Sequence, residues 1–151
     1  MEAVARAGRA RVLVVLGMVF GLITGGAVAV APPASAAVAY TVCTHSWDIY
    51  DNFSRLAPLP STSNHVFQCF LTNGDTGAGV RTLQRTLNQC YGRGLEVDGV
   101  FGDDTEAALR FAQEDANIGD DGEYGPVTRE AIRMRWYSRA TGNFAGCWDI
   151  P

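Results

Sequence analysis

The sequence predicts a mainly α fold: a compact three-helix bundle with glycine-rich turns, preceded by a short disulfide-tethered segment of loop and strand. Two observations predict the bundle. A turn-and-helix motif occurs twice, and a run of aliphatic residues at helical spacing precedes it. A third observation, four cysteines in a short chain, predicts the tethering of the upstream segment.

The repeated motif spans residues 98–109 and returns at residues 121–132 with the shared pattern Asp-Gly-x-aromatic-Gly-x-x-Thr-x-x-Ala-aliphatic. Asp-Gly predicts a tight turn in which glycine takes a positive φ. The aromatic residue anchors that turn in the core, and the threonine hydroxyl can satisfy a free backbone group in the first helical turn. The repeat positions are Asp98, Gly99, Phe101, Gly102 and Thr105 in the first copy, and Asp121, Gly122, Tyr124, Gly125 and Thr128 in the second.

Three helices follow from these signals. The second is expected from residue 103 to about 116, because Asn117 suits the left-handed cap position. The third is expected from residue 126 to about 139, with proline at its first position. The first follows a glycine-rich loop at 74–79 and carries an apolar face of Val80, Leu83, Leu87 and Cys90.

The N-terminus has the features of a secretory signal peptide. A basic start is followed by an apolar run at residues 12–30 and a small-residue end at residues 34–36. Cleavage is expected after Ala36, with Ala39 as the second choice. The alternative is a retained membrane anchor, since the apolar run is long enough to span a bilayer. Glycines within the run and the processing-like end favour removal.

Composition excludes a nucleic-acid footprint. All 12 basic residues are arginine; cleavage after Ala36 would remove three of these and one of the 16 acidic residues, which leaves nine basic against 15 acidic side chains and a net charge of −6. No basic stripe is present. After cleavage we expect an acidic, monomeric protein without membrane association.

The four cysteines remain in the processed chain and imply two disulfides, with three possible pairings. The simplest is sequential, Cys43–Cys69 and Cys90–Cys147, because each bridge then closes one region of the chain. In the upstream region, residues 57–63 are predicted to form a loop and residues 66–71 a short strand.

The pattern Gly74-x-x-Gly77-x-x-Val80-x-x-Leu83-Gln84-x-x-Leu87, followed by the two motif copies, resembles the peptidoglycan-binding type 1 domain. The resemblance covers about residues 74–136. It implies a three-helix fold and a non-catalytic role in holding proteins to bacterial cell wall, and it fits a secreted actinobacterial protein. Two positions depart from the family: Phe111 lies one residue earlier than usual before Gln113, and Asn117 replaces a glycine.

The chain is therefore divided into four parts. Residues 1–36 are the signal peptide, 37–73 the disulfide-tethered segment, 74–139 the peptidoglycan-binding-like domain, and 140–151 a C-terminal tail bridged by Cys147.

Sugar and peptide ligands favour exposed aromatic rings with nearby amides and charged groups. Trp47 and Trp148 lie outside the repeats and could be ligand platforms or covers for the disulfides. The candidates near the repeats are Gln84, Arg85, Asn88, Tyr91, Asp121 and Tyr124.

No catalytic or metal-binding set is predicted. Asp98 and Asp121 could form a carboxylate pair as in a glycan hydrolase, but turn chemistry accounts for both. The set Cys43, His45, His65 and Cys69 could ligate a metal, but in an oxidising compartment a disulfide is favoured. We expect no cofactor and no enzymatic activity.

Three functions remain in competition. The preferred one is a secreted, cell-wall-associated module that binds peptidoglycan. An interaction or inhibitor protein that uses the same fold on a secreted partner is the second, and a small wall hydrolase is the third.

Overall fold

The computed structural model describes residues 40–151. Within this range the chain forms three helices and four strands, so the fold is mixed α/β and the predicted mainly α three-helix bundle is wrong. The predicted signal peptide lies outside the described residues. In chain order the elements are β1 (His45–Tyr50), β2 (Arg55–Ser61), α1 (Ala78–Tyr91), α2 (Asp103–Asp115), α3 (Pro126–Ala131), β3 (Met134–Ser138) and β4 (Phe144–Trp148).

The four strands form one antiparallel sheet in the order β1-β2-β3-β4. β1 and β2 pair along their whole length, whereas β2 meets β3 only at Arg55 and Leu56. β3 and β4 pair with a register shift between Trp136 and Tyr137. The segments upstream and downstream of the repeats are thus joined in a single sheet.

The turn between β1 and β2 is organised by one carboxylate. Oδ1 of Asp51 accepts hydrogen bonds from the backbone N–H groups of Phe53 and Arg55, both at 2.9 Å. Ser54 takes a left-handed backbone with φ of 59°. A short polar side chain that bonds to the backbone two residues later is a common way to begin such a turn.

The predicted loop at residues 57–63 is wrong, because its first five residues belong to β2. Pro58 and Pro60 lie in this strand opposite Asp48 and Ser46 of β1. A strand that is paired on both sides uses all of its backbone N–H groups, and proline has none to offer. Beyond Leu56, β2 is no longer paired with β3. Pro58 and Pro60 therefore have no second neighbouring strand to which an N–H would have to donate.

The predicted strand at residues 66–71 is also wrong. This segment makes only isolated bridges, from Phe70 to Val42 and from Leu71 to Tyr124. Its apolar character instead reflects burial of Leu71 and of the cystine at Cys69.

The first two helices occur as expected. α1 ends at Gly92, whose φ of 64° places it in the left-handed region and whose N–H donates to the Asn88 carbonyl. Such a glycine cap satisfies carbonyls that the helix leaves free. α2 carries three acidic residues in its first turn, where the helix dipole favours negative charge. It is followed by Asn117 with φ of 54°.

The third helix is much shorter than the prediction of residues 126–139. α3 ends at Ala131, and Ile132 already has an extended backbone. Residues 134–138 form β3, held on one side by β4 and on the other by the end of β2. The expected C-terminal tail supplies β4, and the Cys90–Cys147 bridge ties that strand to α1.

The core lies between the helices and the sheet, and α1 contacts all four strands. The structure has disulfides Cys43–Cys69 and Cys90–Cys147, with Cα separations of 5.1 and 5.7 Å. In residues 40–151, no helix is long and apolar enough to cross a membrane. The largest fully buried apolar side chains are Leu59, Leu71, Leu83, Leu87, Phe101, Leu109, Tyr124, Ile132, Met134 and Trp136.

Candidate functional site

The first repeated turn is built around the buried side chain of Gln84 on α1. Its Nε2 donates to Oδ1 of Asp98 at 2.8 Å, to the Val100 carbonyl at 3.0 Å and to Oγ1 of Thr105 at 3.3 Å. Its Oε1 accepts from the N–H of Gly99 at 2.9 Å. One glutamine therefore links α1, the turn and the first turn of α2.

The second repeated turn has the same network around Gln113 on α2. Nε2 of Gln113 donates to Oδ1 of Asp121 at 2.7 Å, to the Glu123 carbonyl at 3.0 Å and to Oγ1 of Thr128 at 3.0 Å. Its Oε1 accepts from the N–H of Gly122 at 2.8 Å. Each repeat thus includes a glutamine from the preceding helix. The sequence pattern did not assign Gln113 to the second turn.

The aspartates of the two turns are engaged in this scaffold. Oδ1 of Asp98 also accepts from the N–H of Val100, and Oδ1 of Asp121 from that of Glu123. The hydrogen bonds from Val100 and Gln84 hold the pKa of Asp98 below its ordinary value. Both carboxylates therefore shape turns, in agreement with the turn interpretation of these residues.

Gln84 and Tyr124 were predicted as ligand-binding residues, and burial corrects both assignments. Gln84 is 1% exposed and its amide is fully used by the turn, while Tyr124 is 0% exposed in the core. Burial raises the pKa of the Tyr124 phenol well above its ordinary range. Neither side chain can reach a ligand in solution without opening the fold.

Asn88 and Tyr91 are half-buried and have internal roles. Asn88 donates to the Leu95 carbonyl at 2.8 Å and accepts from the Leu95 N–H at 2.6 Å, which closes the loop after α1. The Tyr91 hydroxyl accepts from the N–H of Arg133 at 2.6 Å. Burial raises the pKa of Tyr91, although Arg133 opposes that shift.

Arg85 and Asp121 are the exposed members of the predicted set. Within residues 40–151, Arg85 makes no ion pair. Burial of the Arg135 guanidinium lowers the pKa of that residue, and the positive charge of Arg85 lowers it further. The six predicted residues do not form one exposed patch. A role in ligand binding remains a prediction only for Arg85 and Asp121.

A cleft outside the repeats, here called the aromatic cleft, was not predicted. It has a volume of about 410 Å³ and lies where the β1–β2 turn meets the end of the chain. Its residues come from three distant segments, so no local pattern could have indicated it. It is lined by Tyr50, Asp51, Asn52, Phe53, Arg55, Trp136, Asp149, Ile150 and Pro151.

Arg55 forms the centre of the aromatic cleft. Its Nε lies 2.6 Å from Oδ2 of Asp51. Its guanidinium carbon lies 4.2 Å from the ring centre of Trp148 and 5.2 Å from that of Phe53. Burial raises the pKa of Asp51, but the hydrogen bonds from Arg55 and Phe53 outweigh this and leave the pKa below its ordinary value.

Each repeat also borders a cleft at its helix start, and the two have diverged. The first, about 410 Å³, is lined by Glu96, Asp98, Asp103 and Asp104 among others, and is acidic. The second, about 320 Å³, has Pro126 and Val127 at the positions of Asp103 and Asp104, together with the ring of Phe70. Equivalent backbone therefore presents two chemically different surfaces.

Comparison with known proteins matches the family described as "Putative peptidoglycan binding domain" to residues 76–132. This range includes both glutamine-centred turns. Residues 76–132 match this family and are called the peptidoglycan-binding domain below. The suspected family resemblance is thereby confirmed.

A solved structure is also similar to the chain, a peptidoglycan-binding protein from Clostridioides difficile in complex with glutamine hydroxamate. The identity is 23% and the TM-score 0.42; the similarity covers 55% of this chain and 53% of that one. The chain thus spans about half the length of that protein. No curated protein matches the chain.

The structure gives a physical account of the two departures in the peptidoglycan-binding domain. Gln113 occupies its place in the second turn, and the preceding core position is taken by Ala112, which is fully buried. Phe111 is exposed instead, with the Arg93 guanidinium 4.2 Å from its ring centre. Asn117 tolerates the left-handed backbone that glycine would otherwise supply.

The cysteine and histidine set upstream of the peptidoglycan-binding domain is held in other interactions. Cys43 and Cys69 form a disulfide, and the His65 ring stacks on Trp47 with 3.5 Å between ring centres. Nδ1 of His45 is 2.9 Å from the Thr44 hydroxyl. In the described part of the chain, no group of three or more metal-ligating side chains comes together.

Proposed function

We propose that this protein is a secreted, non-catalytic module that binds bacterial cell-wall peptidoglycan. The observation that carries the proposal is the peptidoglycan-binding domain at residues 76–132, in which both glutamine-centred turns are complete. Each turn fixes the start of a helix. A domain that had lost one of the two turns would therefore support the proposal less than this complete one.

Secretion is proposed from two further features. The N-terminal sequence has the order basic, apolar, small-residue that signal peptides share. The two disulfides are typical of small proteins folded in an oxidising compartment. Peptidoglycan lies outside the cytoplasmic membrane, so export would bring the domain to its ligand.

The non-catalytic role is supported by what the candidate carboxylates do. Asp98 and Asp121 each accept a backbone N–H and a glutamine amide, which assigns them to the turns. The hydrogen bonds from Val100 and Gln84 keep the pKa of Asp98 low, so this carboxylate is not held protonated as a general acid would be.

A second candidate function is an interaction or inhibitor protein on the same fold. It is favoured by the exposed Phe111 and by the apolar cleft around Val127, which is 70% exposed. Co-purification with a secreted enzyme, together with no retention on cell wall, would support this function over the first.

The test is sedimentation of the oxidised protein with purified peptidoglycan at low ionic strength. We expect the protein in the pellet with peptidoglycan and in the supernatant with particulate cellulose, the control for trapping. Failure of the folded protein to sediment would contradict the proposal. Release of dye from labelled wall in the same assay would show a hydrolase.

A further inference from the structure

All the residues that line the aromatic cleft lie in sequence outside the peptidoglycan-binding domain. Its residues come from positions 50–55 and 136–151, whereas the domain match ends at residue 132. The family assignment therefore gives this cleft no role.

Exposed aromatic rings gather around this cleft. Phe53 and Tyr50 line the cleft and are 78% and 56% exposed. Trp148, 40% exposed, lies beside it, with its ring centre 4.2 Å from the Arg55 guanidinium. A single exposed aromatic residue is ordinary on a protein surface, but several around one concave site indicate a binding surface. Their conformational entropy cost on binding is low, because aromatic side chains have few rotatable bonds.

Internal contacts hold part of this surface in place. The Arg55 guanidinium stacks on Trp148 and Phe53 and is fixed at its other side by Asp51. The indole Nε1–H of Trp136 donates to the Trp148 carbonyl at 3.1 Å. A ligand would thus meet a partly preformed site, which lowers the cost of binding.

The charged groups in and beside the aromatic cleft limit the class of ligand that it can bind. Arg55, the cation in the lining, is already paired with Asp51, and a second guanidinium, that of Arg139, lies 4.8 Å from the ring centre of Tyr50. Asp149 adds a negative charge to the lining. A cationic ligand would compete with these guanidinium groups for the rings, and an anion would face Asp149. The cleft therefore suits an uncharged ligand with apolar faces and hydroxyl or amide groups, which Asn52 and Asp149 could bond.

We propose that the aromatic cleft binds one or two sugar rings of a glycan strand, as a second site beside the peptidoglycan-binding domain. A pyranose ring has C–H faces that pack on aromatic rings and hydroxyl groups at its edge. The volume of about 410 Å³ falls within the range of small-molecule sites. The choice of an N-acetylated glycan rests on the proposed wall-binding function.

The probe is the soluble tetramer of N-acetylglucosamine, titrated into the oxidised protein while the indole N–H signals are followed by NMR. Trp47, Trp136 and Trp148 are the three tryptophans of the chain. Trp136 is buried behind the cleft and its indole N–H donates to the Trp148 carbonyl, while the Trp148 ring packs on Arg55, so both signals report on the cleft without touching the ligand. We expect saturable shifts for these two, and none for Trp47, which lies on His65. Absence of saturable shifts at Trp136 and Trp148 overturns the proposal.

The variant Phe53→Ala removes the most exposed ring and should weaken tetramer affinity about tenfold. The matched control is Phe111→Ala, an exposed phenylalanine that also lies beneath an arginine but sits on α2. It should leave the affinity unchanged. Equal weakening by both variants would overturn the assignment to this cleft.

The two proposals fail in different ways. A protein that sediments with peptidoglycan but shows no indole shifts with the tetramer retains the proposed function and loses this second site. A protein that binds the tetramer in the aromatic cleft but does not sediment with peptidoglycan retains this second site and loses the proposed wall-binding function.

Discussion

The side-chain amide of Gln113 donates to the Asp121 carboxylate at 2.7 Å, as that of Gln84 donates to Asp98 at 2.8 Å. The two contacts belong to equivalent networks that join each turn to the helix before it. The repeated motif is thus a packing unit, and its visible residues describe the scaffold more than a ligand site.

Replacing Gln113 with alanine should lower the free energy of unfolding by about 2–4 kcal/mol. The change leaves the Gly122 N–H and the Asp121 carboxylate without their partner and opens a cavity. Urea denaturation measures this. The control is Gln89→Ala at an exposed position of α1, where the effect should stay within about 0.5 kcal/mol. Similar effects for the two variants would contradict the buried role of Gln113.

Asp98 should make stability depend on acid pH. Its pKa in the folded protein lies below the ordinary value of 3.8, so the unfolded state binds its proton first as the pH falls. The stabilisation is therefore complete above pH 3.8 and is lost as the pH falls through the lower, folded pKa. Asp98→Asn should flatten this part of the stability profile measured by denaturation at each pH.

The control for that profile is Glu114→Gln, which neutralises an exposed carboxylate on α2 outside the turns. It should keep the acid slope that Asp98→Asn reduces. If Asp98→Asn and the wild type lose stability in parallel below pH 3.8, the carboxylate does not stabilise the turn through its charge.

Gly79 should not tolerate a side chain. A Cβ at this position would overlap the Cys43 carbonyl oxygen, which is backbone and cannot move aside without shifting the chain. We expect Gly79→Ala to lower the free energy of unfolding by about 3 kcal/mol. Gly119→Ala is the control, because nothing lies within 4 Å of its Cβ position. Equal melting temperatures of these two variants would contradict the close contact of α1 with the backbone at Cys43.

The two disulfides should differ in their rate of reduction. Cys43 and Cys69 are both 0% exposed, whereas Cys90 and Cys147 are half-buried. Thiol attack requires access to a sulfur, so dithiothreitol should open Cys90–Cys147 first under native conditions. Timed alkylation with mass spectrometry gives the order. Simultaneous loss of both bridges would mean that reduction follows global unfolding.

The extent to which sequence predicts this fold follows from how local each signal is. α1, α2 and both turns were predictable, because Val80, Leu83 and Leu87 recur at helical spacing and Asp-Gly specifies a turn by itself. β3 was not, because the segment at 134–138 becomes a strand only where β2 and β4 supply partners from distant parts of the chain.

The candidate sites follow the same rule. A repeat marks its own turns, so Asp98 was assigned to its turn, whereas Asp121 was assigned both to its turn and to a ligand surface. Tyr50 and Phe53 come together with Arg55, and Arg55 with Trp148, only after the sheet has formed. The sequence therefore indicated Trp148 as a possible ligand platform but not the aromatic cleft beside it.

A binding isotherm on purified peptidoglycan, with soluble fragments measured in the same tubes, tests the proposed role as a wall-binding module. We expect saturable binding by the oxidised protein, loss of binding after reduction and unfolding, and no release of soluble fragments. A folded protein that stays in the supernatant at every peptidoglycan concentration would contradict it.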